Sequence, residues 1–153
     1  MGEATNELTT ASLSWDSVTA AAAVLSDRLA SDGRAWRGIV AVARGGLVPA
    51  AFLSRSLSLR RVETACLRSY EGSSRSEPEV LSLPSLSDGG AGWLVADDLA
   101  DSGRSAAFLR GVFPNAFFCA LYAKPDGAQF LDAFAELRPS SEWLIFPWES
   151  SSS

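Results

Sequence analysis

The chain contains no histidine. That absence removes Ser-His-Asp and Cys-His nucleophilic catalysis and leaves few options for zinc. Any chemistry must run on carboxylates, Lys, Arg, backbone amides and a hard metal ion. Cysteine is scarce as well. Cys66 and Cys119 lie far apart, each inside an apolar stretch, and read as reduced, buried thiols rather than a disulfide. No apolar run approaches the roughly 18 residues that span a bilayer. The opening, MGEATNELTT, lacks the basic start and apolar stretch of a secretory signal, so a cytoplasmic location is expected. Positive charge is in deficit: 13 Lys and Arg against 18 Asp and Glu give a net charge of −5. Non-specific nucleic-acid binding needs a basic face to displace counterions, and no nucleic-acid partner is expected. An acidic protein that handles phosphates must instead concentrate its positive groups locally, at Arg, Lys and helix N-termini.

What remains is enough for one globular domain: 153 residues, 47% apolar and 20% charged. Residues 1–13 are polar and are expected to fray. Ser14 reads as an N-cap for a helix to about Ala30, whose stripe is Val18, Ala22, Leu25 and Leu29, with Gly33 as a stop. Gly38–Ala43 (GIVAVA) is a buried strand that ends in Arg44-Gly45-Gly46, and a helix follows from about Val48 to Leu57. Val62–Leu67 is a second strand. Residues 70–91 are rich in Ser, Gly and Pro, with one extended piece near Val80–Leu83, and are expected to form a flexible lid. Trp93–Ala96 and Phe117–Ala123 are further buried strands, separated by a helix to about Phe113. Strands alternating with helices indicate an α/β fold with a mostly parallel, Rossmann-like sheet. Signals after Lys124 are mixed. The domain is placed at residues 14–148, and 149–153 are read as a disordered Ser tail.

The run from Trp93 to Ala106, WLVADDLADSGRSA, carries the sharpest signal. Asp97, Asp98 and Asp101 crowd the C-terminal end of a buried strand, which is where open parallel sheets bind ligands. Three anions on a tight turn repel unless a cation or hydroxyl donors offset them. Mg²⁺, with its preference for a few carboxylates and several waters, suits that place. Ser102-Gly103-Arg104-Ser105 then enters a helix, whose first amides and dipole suit a phosphate. Acids beside a phosphate cradle fit a phosphorylated sugar, since its hydroxyls donate to the carboxylates.

This run resembles the phosphoribosyl-pyrophosphate signature of type I phosphoribosyltransferases: an apolar strand, two acids, a third acid, then Ser/Thr-Gly-x-Ser/Thr. From about Trp15 to Trp148 the chain is similar to the bacterial xanthine–guanine phosphoribosyltransferases. The likeness includes Ala43-Arg44-Gly45-Gly46-Leu47-Val48-Pro49, Ser69-Tyr70, Ala123-Lys124-Pro125, Trp143 and Pro147-Trp148. The resemblance implies that fold, with a small C-terminal hood. It also implies transfer of phosphoribosyl from 5-phosphoribosyl-1-pyrophosphate (PRPP) to a 6-oxopurine with Mg²⁺.

Carried over by residue, Arg44 and Gly45 would hold pyrophosphate in a loop whose Arg–Gly peptide is often cis in that family. Asp97 and Asp98 would meet the ribose hydroxyls, with Asp98 the metal ligand. Leu99, Ala100 and Asp101 complete the PRPP-binding run, and Ser102, Gly103, Arg104 and Ser105 would bind the 5′-phosphate. Asp101 would also accept the proton of purine N7, Lys124 would donate to O6, Trp143 would stack on the base and the Leu144 carbonyl would accept from its edge. A homodimer or homotetramer is implied, and some relatives associate peripherally with the inner membrane.

Two departures stand out. The family's lid arginine aligns with Ser76, and Arg75, one residue earlier, is the replacement chosen here. The family also continues past Pro-Trp-Asp with an apolar strand, whereas this chain has Glu149 and then serines. A non-catalytic sensor of nucleotide or PRPP on the same fold is the alternative function. A Rossmann dinucleotide binder is disfavoured, since Ala43-Arg44-Gly45-Gly46-Leu47 does not supply Gly-x-Gly-x-x-Gly.

Overall fold

The computed structural model describes residues 7–69 and 77–149. The Ser14 hydroxyl accepts from the Ser17 N–H at 3.1 Å and caps α1 (Trp15–Ser31), whose expected stripe is fully buried. Then follow β2 (Gly38–Ala43), α2 (Leu47–Ser56), β3 (Val62–Arg68), β4 (Glu79–Ser82), a short 3₁₀ turn (Ser87–Gly90) and β5 (Trp93–Ala100). The chain continues with α3 (Arg104–Val112), β6 (Phe117–Ala123), α4 (Pro125–Ala128), β7 (Ala133–Leu137) and β8 (Glu142–Ile145). Six strands form one sheet in the order β4-β3-β2-β5-β6-β7, parallel throughout except for β4.

Both faces of this sheet are covered, which is why its central strands are continuously apolar. Alternate residues of β2 point to opposite sides. Ile39 and Ala41 pack with Val18, Leu25 and Leu29 of α1 and Leu53 of α2. Val40 and Val42 pack with Trp93, Val95, Leu109 and Phe113. Both cysteines are free, and burial pushes the Cys119 thiol up to about 12.

Three expectations need correction, and one stretch left open is resolved. The start of the chain is not frayed at Thr9–Ser12: these residues form β1, which pairs in parallel with β8, Thr9 opposite Glu142 and Ser12 opposite Ile145. Its side chains are largely exposed, so the backbone ladder holds it, and composition carries no sign of that. This two-stranded sheet is the hood. Next, β5 runs through Asp97–Ala100 because β6 extends the ladder, pairing Asp97 with Ala120 and Ala100 with Ala123. The stretch 70–91, expected to be a flexible lid, is also not loop throughout. Residues 77–91 contain β4, antiparallel to β3, and the 3₁₀ turn, while 70–76 lie outside the described residues. Finally, the mixed stretch after Lys124 resolves into α4, β7 and β8.

The strand order turns at the β2–β5 pair. From β2 the chain crosses by α2 to β3 on one side, and from β5 it crosses by α3 to β6 on the other. The crevice at such a switch point, beyond the carboxyl ends of the strands, is where open α/β sheets take ligands. Arg44–Gly46 follows β2 there, and Asp97–Ser105 follows from the end of β5.

Candidate active site

The two loops meet closely. The Gly46 N–H donates to the Val42 carbonyl at 2.8 Å and the Leu47 N–H to the Arg44 carbonyl at 3.0 Å, turning the chain tightly into α2. A Cβ placed on Gly45 would land on the Asp98 carboxylate, so glycine is what lets the β2 loop approach the acids. The cis peptide in this loop is Ala43–Arg44, one bond before the Arg–Gly link that the resemblance suggested.

Asp97 and Asp98 are partly buried at the end of β5. Asp97 Oδ1 accepts from the Asp98 N–H at 2.9 Å and Asp98 Oδ1 from the Leu99 N–H at 2.7 Å. Burial, followed by the neighbouring Asp98 charge, raises Asp97 well above the usual carboxylate range. Burial raises Asp98 too, and the Glu149 carboxylate adds a smaller push. Among the described residues, neither aspartate has an ion-pair partner. The place is therefore short of positive charge.

Past these acids the chain turns through Asp101–Gly103. Gly103 takes the left-handed conformation (φ 82°) as the N-cap of α3, where a Cβ would also strike the Phe130 ring. The Arg104 N–H faces the Ser102 hydroxyl at 3.4 Å. A cavity of about 300 Å³ opens here, walled by Asp97, Leu99 to Ser105 and Ser69, together with the apolar Val42, Val95, Leu109 and Phe118.

A second cavity of about 610 Å³ lies between Arg44, Gly45, Asp98, Trp148 and Glu149. Glu149, placed in the tail by composition, is held by its own turn. Its Oε2 accepts from the Phe146 N–H at 2.8 Å, and its N–H donates to the Phe146 carbonyl at 3.0 Å. Trp148 stacks on Phe146 at 4.6 Å and leans on Trp15. Glu149, Trp148 and Ser69 line the site without having been assigned roles. Pro147-Trp148 was the available signal, since an aromatic anchor there fixes the next residue.

Lys124 follows β6, with its N–H bonded to the Ala100 carbonyl at 3.0 Å. It is only 5% exposed, unusual for lysine, and its ammonium lies 3.5 Å from Asp101 Oδ1, whose side chain is 58% exposed. The structure thus gathers Arg44, Gly45, Asp97, Asp98, Leu99, Ala100, Asp101, Ser102, Gly103, Arg104, Ser105 and Lys124 at one end of the sheet. It leaves Trp143 apart: on β8, that ring is 59% exposed and lines neither cavity. Leu144 is buried beside it. Arg75 lies outside the described residues.

In this arrangement a partly buried acidic pair lies against an arginine–glycine loop, with Asp98 sharing a cavity with Arg44 and Gly45, and an amide-rich helix opening adjoins it. Comparison with known proteins identifies the fold and the family. Three solved structures share the fold. A xanthine–guanine–hypoxanthine phosphoribosyltransferase from Helicobacter pylori superposes with a TM-score of 0.76 at 24% identity, covering 92% of this chain and 94% of its own. A purine phosphoribosyltransferase from Pyrococcus horikoshii gives 0.78 at 23% identity, covering 94% and 96%. A hypothetical protein from Neisseria gonorrhoeae with bound ppGpp gives 0.74 at 18% identity, covering 94% and 91%. The model of the phosphoribosyl transferase domain matches residues 5–148. The chain belongs to the phosphoribosyltransferase family and has its type I fold.

Proposed function

We propose that the protein transfers phosphoribosyl from PRPP to N9 of a 6-oxopurine (guanine, xanthine or hypoxanthine), giving pyrophosphate and the nucleoside 5′-monophosphate in purine salvage. The observation that carries this reading is the meeting of the Asp97–Asp98 pair with the Arg44–Gly45 loop and the Gly103 helix opening at the switch point. Each element answers one part of the donor: diol, pyrophosphate and 5′-phosphate.

The residues fit Mg²⁺. Two desolvated carboxylates lacking a cationic partner are relieved by a hard cation, which needs few protein oxygens because water and substrate supply the rest. Asp98 would hold the ion, with Glu149 offering a further oxygen across the cavity. When bound, Mg²⁺ would supply neutralisation of charge on the leaving pyrophosphate.

Arg44 adds to that neutralisation, and Gly45 keeps its loop close enough to do so. Arg75 is our choice for the pyrophosphate contact from the lid. Asp97 and Asp98 accept from the ribose hydroxyls and lie near the positive charge that grows on the sugar. Ser102, Gly103, Arg104 and Ser105 hold the 5′-phosphate through amides and hydroxyls, beside Leu99 and Ala100 in the cavity wall. Lys124 donates to O6 of the base and Asp101 accepts the N7 proton. The base-holding roles that the resemblance implied for Trp143 and the Leu144 carbonyl have no support from the two cavities, which neither residue lines. The Lys124–Asp101 contact supports the pairing of these two roles on adjacent atoms of one purine edge. Homodimeric or homotetrameric assembly and a cytoplasmic location, with peripheral association at the inner membrane as in some relatives, complete the reading. Among the described residues no helix is long and apolar enough to cross a membrane.

The test is pyrophosphate release from PRPP with each of guanine, xanthine, hypoxanthine and adenine, with and without Mg²⁺. Release with a 6-oxopurine and none with adenine is expected. Silence with all four bases, from folded protein, rejects the enzyme. A non-catalytic sensor is then the surviving reading, favoured by the ppGpp held by the Neisseria gonorrhoeae protein.

A further inference from the structure

We propose that the opposite end of the molecule carries a second anion site, built on the turn between α2 and β3 and suited to a small molecule bearing several phosphate groups. The charge distribution is the first reason. Residues 33–62 contain six of the chain's 13 basic residues and no Asp or Glu, within a protein of net charge −5. Arg44 belongs to the active site. The other five (Arg34, Arg37, Arg55, Arg60 and Arg61) flank the N-terminal ends of β2 and β3 or the C-terminal end of α2.

The second reason is shape. A hollow of about 500 Å³ is walled by Ser54, Arg55, Ser58, Leu59, Arg60 and Val62. Another of about 400 Å³ adjoins it, sharing Ser58 and Leu59 and adding Arg34 and Trp36. Ser58 holds the left-handed conformation (φ 55°), which few side chains adopt, and this sharp turn separates the two hollows. Among the described residues no carboxylate lines either one.

Ordinary structural duties account for only part of this charge. Arg34 pairs with Asp32 at 2.9 Å and Arg37 with Asp88 at 3.5 Å. Arg61 lies over the Trp93 ring at 4.8 Å. Arg55, in the last turn of α2, complements the helix dipole. Arg60 has no such task, and among the described residues neither Arg55 nor Arg60 has an ion-pair partner. Two guanidinium forks and the Ser58 hydroxyl line one hollow and suit the planar, multidentate recognition of phosphate oxygens, while the Ser54 hydroxyl donates to the Ala51 carbonyl at 2.9 Å.

The active site is not the same place. α2 starts at the Arg44–Gly46 loop and ends at this turn, and ten helical residues span about 15 Å.

The experiment is amide NMR of the full chain titrated with inorganic tripolyphosphate at physiological ionic strength. Amides of residues 54–60 are expected to shift saturably, with a midpoint distinct from that of residues 44–46 and 102–105. In Arg55→Ala/Arg60→Ala the first set should weaken by about tenfold or more in affinity, while the second keeps its midpoint. Both arginines are exposed, so the variant's unchanged spectrum elsewhere certifies its fold. Shifts confined to residues 44–46 and 102–105 overturn the proposal. So do shifts at 54–60 that never saturate, which report charge screening alone. A hexaglutamate peptide that moves residues 54–60 with the same midpoint also overturns it, because the site then reads charge and not phosphate.

Discussion

Gly45→Ala isolates the contact on which the active-site geometry depends. The new methyl would meet all three atoms of the Asp98 carboxyl group, and Asp98 is not a loose side chain, since its Oδ1 is tied to the Leu99 N–H at 2.7 Å. To make room, the carboxylate must rotate away and give up that bond, worth about 1.5–3 kcal/mol for a charged acceptor. A change of 1 kcal/mol moves the melting temperature of a domain this size by about 2–4 °C. The variant should therefore melt roughly 3–12 °C lower. Displacement of the Arg44 loop by about 1 Å should lower kcat/KM for PRPP by about 100-fold.

A double-mutant cycle with Asp98→Ala makes the cause visible. Gly45 has no positive φ, so alanine is compatible with its backbone once the carboxylate is gone. In the Asp98→Ala background, Gly45→Ala should cost nothing, or stabilise by about 0.4–1 kcal/mol through the unfolded chain. Urea denaturation of the four proteins measures the coupling. If Gly45→Ala destabilises equally with and without the Asp98 carboxylate, the close approach of the two loops is not what fixes glycine there.

Asp101→Asn should lower kcat by about 100- to 10,000-fold while leaving nucleotide binding nearly intact, checked by steady-state kinetics beside calorimetry. Equal losses in both point away from proton transfer. Lys124→Ala should raise KM for the 6-oxopurines and leave adenine no worse off; uniform damage across bases marks Lys124 as structural. Asp97→Asn should stabilise the ligand-free protein at neutral and higher pH. The folded carboxyl holds its proton to a higher pH than the unfolded one, so the wild type is fully penalised above the folded value. That penalty fades as pH falls toward the unfolded value, so the stability gap should close in acid. Melting curves across pH check it, and a gap that widens in acid refutes the assignment. Leu25→Ala, at a fully buried position between α1 and the sheet, should cost about 2–5 kcal/mol and spare the catalytic constants of the fraction that remains folded.

The sheet was legible because burial on both faces writes itself as unbroken apolar runs, as in Gly38–Ala43 and Phe117–Ala123. The Ser14 cap was legible because its chemistry is local. β1 was not, since Thr9–Ser12 bury little and are held by backbone bonds to β8, which composition cannot record. β5 was underestimated for a related reason. Asp97 and Asp98 look like the end of a strand by polarity, yet β6 offers ladder partners as far as Ala100, and the backbone takes them.

That extension has a chemical consequence. Carboxylates in a flexible loop keep their water and ionise freely, whereas these are carried on a strand paired to its end and lose solvent with it. The fold thus spends part of its stability holding two acids where their charge is disfavoured, and under the proposed function a bound cation and sugar diol would return it. Glu149 belongs to the same account. A turn anchored by Trp148 on Phe146 brings a third carboxylate toward Asp98, raising the local demand for positive charge. Local sequence shows each acid singly. Only the folded chain shows that Asp98 and Glu149, far apart in sequence, face one cavity.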